Sequence, residues 1–107
     1  MSIQHYRYTL ERLNKLIYIL TIHEGDIKKR LIDALTQWWC PENSFPEDLK
    51  ELYRDIYKEI CKIPTDEYEN TFKRSLQKKR LKTCKNIAAK IVDLELMLEE
   101  YINNFDE

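Results

Sequence analysis

The sequence predicts an all-α fold, a compact four-helix bundle-like domain with a long C-terminal helix. Three observations carry this. The 107 residues include one Gly and three Pro, too few for the tight turns of an all-β domain or the glycine-rich phosphate loops of a nucleotide-binding α/β fold. Apolar residues recur at spacings of three and four along most of the chain, which is the helical repeat. A content of 43 % hydrophobic and 35 % charged residues belongs to a folded, charge-rich chain rather than a disordered one. This length makes one domain with one modest core.

The first helix is expected over residues 3–22. Tyr6, Leu10, Leu13, Ile17 and Leu20 share one face, and Leu16, Ile19 and Ile22 widen it in the second half. Gly25 is suited to the left-handed backbone that closes a helix, and Asp26 to the start of the next. The second helix, residues 26–39, buries Ile27, Leu31, Ala34, Leu35 and Trp38. Adjacent Trp38 and Trp39 diverge by about 100° on a helix. Trp39 is therefore expected to cover the following loop or to anchor a partner.

Cys40-Pro41 stops this helix, because the residue before a proline is pushed from helical geometry. Ser44 and Glu47 match a capping box with Pro46 in the first turn. The third helix, residues 46–62, is expected to bury Leu49, Leu52, Ile56 and Ile60, with Tyr53 and Tyr57 flanking.

After Pro64, Thr65 opens a stretch free of Pro and Gly, expected as a helix over 66–103 with a possible second start at Asn70-Thr71. A continuous helix of this length would run about 57 Å and outreach its neighbours, so it either breaks near Asn70 or projects. Phe72, Leu76, Cys84, Ile87, Ile91, Leu94, Leu98 and Tyr101 line its apolar stripe. From Cys84 onward this is a heptad seam that requires a second helix.

The charge of this segment is split. Eight Lys or Arg and no acid lie between Lys73 and Lys90; six acids and no base lie between Asp93 and Glu107. Arg74, Lys78, Lys82 and Lys85 fall opposite the apolar stripe, the arrangement of a phosphate-tracking helix and equally of a solvated face. Lys73 and Arg80 fall inside the stripe and are expected to meet the acids of the third helix, Glu47, Asp48, Glu51, Asp55 and Glu59.

Net charge is −1, so any attraction to nucleic acid is local. No apolar run approaches the ~20 residues of a membrane span, and the N-terminus lacks the pattern of a secretory signal. Three scattered cysteines point to reduced thiols and a cytoplasmic location. Cys40 precedes Pro41 at a helix end, which raises rather than lowers a thiol pKa. His23, Glu24 and Asp26 surround Gly25 without a metal motif, and His5 lies about 27 Å away along a continuous helix. No cofactor, metal or catalytic centre is expected.

Lys28, Lys29 and Arg30 after Gly25 invite comparison with a helix-turn-helix, but Glu24 and Thr21 occupy positions that this motif keeps apolar and small. The expected function is non-enzymatic: an interaction or regulatory module that self-associates or binds a protein partner through its long last helix, using Trp39, Lys73, Arg80, Ile91, Leu94, Leu98 and Tyr101. The alternative is a nucleic-acid-binding regulator using Lys28, Lys29, Arg30, Arg74, Lys78, Lys82 and Lys85. No membrane partner is expected.

Overall fold

The computed structural model describes residues 3–61 and 68–105, with side chains in the second stretch from Phe72 onward. Its elements are α1 (Ile3–Ile22), α2 (Ile27–Trp38), a 3-10 turn (Glu42–Ser44), α3 (Glu47–Ile60), α4 (Tyr68–Gln77) and α5 (Leu81–Phe105). The fold is all-α. The Cα radius of gyration is 13.6 Å, close to the ~13 Å of a compact chain this long.

The first turn forms as its sequence dictates. Gly25 takes φ 103°, and Asp26 caps α2 by accepting a 2.9 Å hydrogen bond from the Lys29 backbone N–H. α1 buries Tyr6, Thr9, Leu13, Leu16, Ile19 and Leu20. Its second half is more enclosed, as expected, but Ile22 stands exposed at the helix end. Leu10 and Ile17 lie at the margin of the core.

Between α2 and α3 the local chemistry differs from expectation. Ser44 does not cap α3; Pro46 is the N-cap and contributes no side-chain bond. The Ser44 carbonyl instead accepts from the Thr9 hydroxyl at 3.0 Å, a proton shared with the His5 carbonyl at 3.2 Å. The connection closes around Tyr53, whose hydroxyl donates to the buried Cys40 carbonyl at 2.7 Å. Phe45 packs on the Tyr53 ring at 5.1 Å. Tyr53 is thus core, while Leu52, expected inside, is only half-buried.

Trp38 also departs from expectation. Trp38 is half-buried on the outside of α1, with Arg12 and Lys15 over its ring at 5.1 and 4.7 Å. Trp39 stacks on Tyr53 at 5.1 Å and meets Phe72 edge-on at 6.5 Å. Tyr53 and Phe72 are themselves buried, and Trp39, half-buried, packs over them.

The last segment is two helices. Thr65 and the expected start at residue 66 lie outside the described residues. Asn70 is helical; the break falls at residues 78–80. The Lys79 N–H turns back to the Leu76 carbonyl at 3.1 Å, and the Cys84 N–H starts α5 by reaching the Arg80 carbonyl at 3.1 Å. No apolar residue occupies Gln77–Arg80, so a continuous helix would carry a full turn with nothing to bury. Breaking there lets Phe72 and Leu76 turn into the core on α4 and Cys84, Ile87, Ile91, Leu94 and Leu98 do so on α5.

The expected seam therefore finds its mate within the chain. Ile91, Leu94 and Leu98 have no exposed surface, and α5 packs on α1, α2 and α3. Tyr6 meets Tyr101 ring to edge at 5.6 Å, which makes α1 and α5 antiparallel. Lys90 Nζ lies 2.7 Å from Glu59 Oε2 on α3. α5, 25 residues or about 37 Å long, fits the 44 Å longest extent of the molecule.

Candidate functional site

The α4–α5 break gathers the basic stretch at one elbow. Arg74 lies in the last turn of α4, Lys78, Lys79 and Arg80 form the break, and Lys82 and Lys85 begin α5. All are exposed except Lys79, which is half-buried. Arg74, Ser75, Lys78 and Lys79 line a cleft of about 370 Å³ with Ile60 at its floor. The start of α5 and the end of α4 meet at this corner, so their opposite dipole ends offset one another and the side chains set its charge.

Lys79 sits between two buried thiols. Burial pushes the Cys61 thiol up, against a Ser75 hydrogen bond and the Lys79 charge that pull it down. Burial likewise raises the Cys84 thiol, opposed by the charges of Lys28 and Lys79.

Among the described residues these cations are largely without acidic partners. Of the eight bases from Lys73 to Lys90, only Lys90 forms an ion pair among the described residues, with Glu59. Lys73 and Arg80 were expected to meet the acids of α3 and do not. Both are exposed; the break takes Arg80 out of the helix, and Lys73 borders the open cleft between α2 and α4. Glu47 on α3 pairs with Lys50 at 3.1 Å, and Arg54 reaches back to Glu42 through two 2.9 Å hydrogen bonds. That bidentate contact holds the Glu42 carboxyl below its ordinary value.

The basic residues after Gly25 are differently placed. Lys28 Nζ donates to the Gln77 carbonyl at 3.2 Å, and Arg30 Nη1 to the Leu20 carbonyl at 2.9 Å. They hold the C-termini of α4 and α1 rather than standing free. Lys29 is exposed, 3.9 Å from Asp33, which also lies 3.8 Å from His23 Nδ1. The cleft between α2 and α4, about 780 Å³, is lined by Lys28, Lys29 and Lys73 together with Asp26 and Asp33. Its mixed charge gives it no single preference.

Cys40 is buried, and burial raises its thiol pKa against the opposing hydrogen bond and charge of Arg12. It borders a cleft of about 320 Å³ with Arg12, Trp39, Tyr53 and Phe72. The Trp39 indole N–H beside it is buried without an acceptor among the described residues. Among the described residues no group of three His, Cys, Asp or Glu is placed to hold a metal ion, and no helix is long and apolar enough to cross a membrane.

Two features of the surface were not visible in the sequence. The break at residues 78–80 turns a linear basic run into a corner; the seven-residue gap between Leu76 and Cys84 in the apolar stripe is its only signal. The outer face of α5 also exposes Leu96 and Met97, at 53 % and 44 %. Compared with known proteins, the chain matches no family model, no curated protein and no solved structure.

Proposed function

We propose that this chain is a non-enzymatic binding module that engages the phosphate backbone of nucleic acid through the α4–α5 elbow. One observation carries the proposal: Arg74, Lys78, Lys79, Arg80 and Lys82 converge on one corner and have no ion pair among the described residues. Cations displace the condensed counterions of a polyanion, and that release drives sequence-independent binding. Aromatic side chains do not interleave with these bases, so the elbow tracks backbone charge rather than stacking on bases.

The geometry shifts weight away from a protein partner bound by the apolar seam, since Ile91, Leu94 and Leu98 are spent on the chain's own core. Tyr101 is half-buried against Tyr6, and Trp39 packs on Tyr53. The helix-turn-helix use of Lys28 and Arg30 also loses support, because both hold helix ends. Three buried free thiols favour a reducing, cytoplasmic location.

The test is binding of a labelled single strand and a labelled duplex at low salt by the wild type and by Arg74→Glu/Lys78→Glu/Lys82→Glu, with helicity checked by circular dichroism. The proposal expects binding by the wild type and its loss in the folded triple variant. A wild type that binds neither strand form disposes of it.

A further inference from the structure

The outward face of α5 carries a second pattern. Lys85, Ala89, Leu96 and Glu100 are all exposed, and at 100° per residue they lie within a stripe about 60° wide. Their spacing is four, seven, four, a palindrome about the midpoint of Val92 and Asp93. Two copies of this face laid antiparallel about a two-fold axis would meet in register. Lys85 would oppose Glu100 of the partner subunit, and Ala89 would oppose Leu96 of the partner subunit, the small side chain making room for the large one.

Neither Lys85 nor Glu100 has an ion pair among the described residues. Leu96 is 53 % exposed and its neighbour Met97 44 %. The face is therefore self-complementary in charge at its two ends, as a two-fold interface requires. A parallel arrangement would instead set Lys85 against Lys85 and Glu100 against Glu100.

We infer that the outer face of α5 is a homodimer interface whose occupant is a second, antiparallel copy of this chain. The contact from Lys85 to Glu100 runs about 22 Å along the helix, which makes it a small interface. The dimer forms in the micromolar range and weakens with salt. It leaves most of the nucleic-acid site clear: Arg74, Lys78, Lys79 and Arg80 lie outside the contact, while Lys82, one turn before Lys85, borders it.

The test is the solution mass of the full chain by sedimentation equilibrium, from about 10 to 500 µM at low salt. The wild type is expected to pass from monomer to dimer. Lys85→Glu and Glu100→Lys each place like charges opposite one another and are expected to raise the dissociation constant by about tenfold or more. Lys85→Glu/Glu100→Lys restores the complementary pairing and is expected to return to within about threefold of the wild type.

A wild type that stays monomeric throughout overturns the inference and leaves the face to a different protein. Single variants that dimerise like the wild type overturn it by placing the interface elsewhere. A double variant no better than the singles removes the antiparallel pairing.

Discussion

Lys28 Nζ lies 3.2 Å from the carbonyl oxygen of Gln77, 49 residues further along the chain. Two residues on, Arg30 Nη1 lies 2.9 Å from the Leu20 carbonyl. The start of α2 thus ties down the ends of two other helices, whose last carbonyls have no partner within their own helices.

Arg30→Ala should cost about 1.5–3 kcal/mol, since a charged donor to a part-buried carbonyl is lost. Lys28→Ala should cost less than about 1 kcal/mol, because its bond is exposed. Urea unfolding of both variants checks the order. If the elbow rather than this helix binds nucleic acid, folded Arg30→Ala should keep its affinity within about twofold of the wild type.

Leu94 and Leu96 are two residues apart on α5 and face opposite ways. Leu94 is fully buried and Leu96 is 53 % exposed. Leu94→Ala should destabilise by about 2–5 kcal/mol through lost burial and a cavity. Leu96→Ala should stay within about 0.5 kcal/mol of the wild type. Urea midpoints of the two variants, measured at low protein concentration, give the comparison.

Gly25 holds φ at 103°, and an added Cβ would sit 2.8 Å from Lys29 Cδ. The lysine chain is flexible and can move, so the cost of Gly25→Ala is mostly backbone strain, about 1–2 kcal/mol. Thermal unfolding should register it as a fall of roughly 4–8 °C per kcal/mol. An unchanged midpoint would show that the turn relaxes freely.

Burial raises the thiols of Cys40, Cys61 and Cys84 above their ordinary value of 9.0. An acid raised on folding contributes stability that is complete below its unfolded pKa and is lost as pH rises through the folded one. The thiols therefore cost stability only above about pH 9, and near pH 8 they should react with a disulfide probe at least about tenfold more slowly than in the urea-unfolded chain. Glu95 follows the same sign at lower pH. Burial, then the neighbouring Glu99 charge, raises its carboxyl, so its contribution is present in acid and lost as pH rises. Glu95→Gln should gain stability over the wild type at neutral pH and lose that advantage towards pH 4, measurable as a pH series of urea midpoints.

Much of the fold was legible because local chemistry and global packing agreed. Gly25 and Asp26 ended one helix and began the next as their backbone preferences require. The spacing of Ile87, Ile91, Leu94 and Leu98 marked a buried stripe correctly but carried no information about which chain supplies its mate. Ser44 was misread because a long-range acceptor role for its carbonyl, set by Thr9, does not show in the local pattern. Trp38 departs from its periodicity for a related reason: Arg12 and Lys15 on α1 offer it a cationic face that helix periodicity cannot reveal. At the elbow, Arg80 looked like a charge intruding on a core stripe. That conflict came from assuming a continuous helix, and the break resolves it by removing Arg80 from the helix.

If the elbow binds nucleic acid through phosphate charge, its affinity must fall steeply with salt. Fluorescence anisotropy with a labelled duplex, between about 50 and 200 mM salt, should give a log–log slope near −3.6 if about four phosphates are neutralised, a loss of about 10²-fold. Arg74→Glu/Lys78→Glu/Lys82→Glu should abolish the binding. A slope near zero, or no binding by the wild type at the lowest salt, would contradict the account.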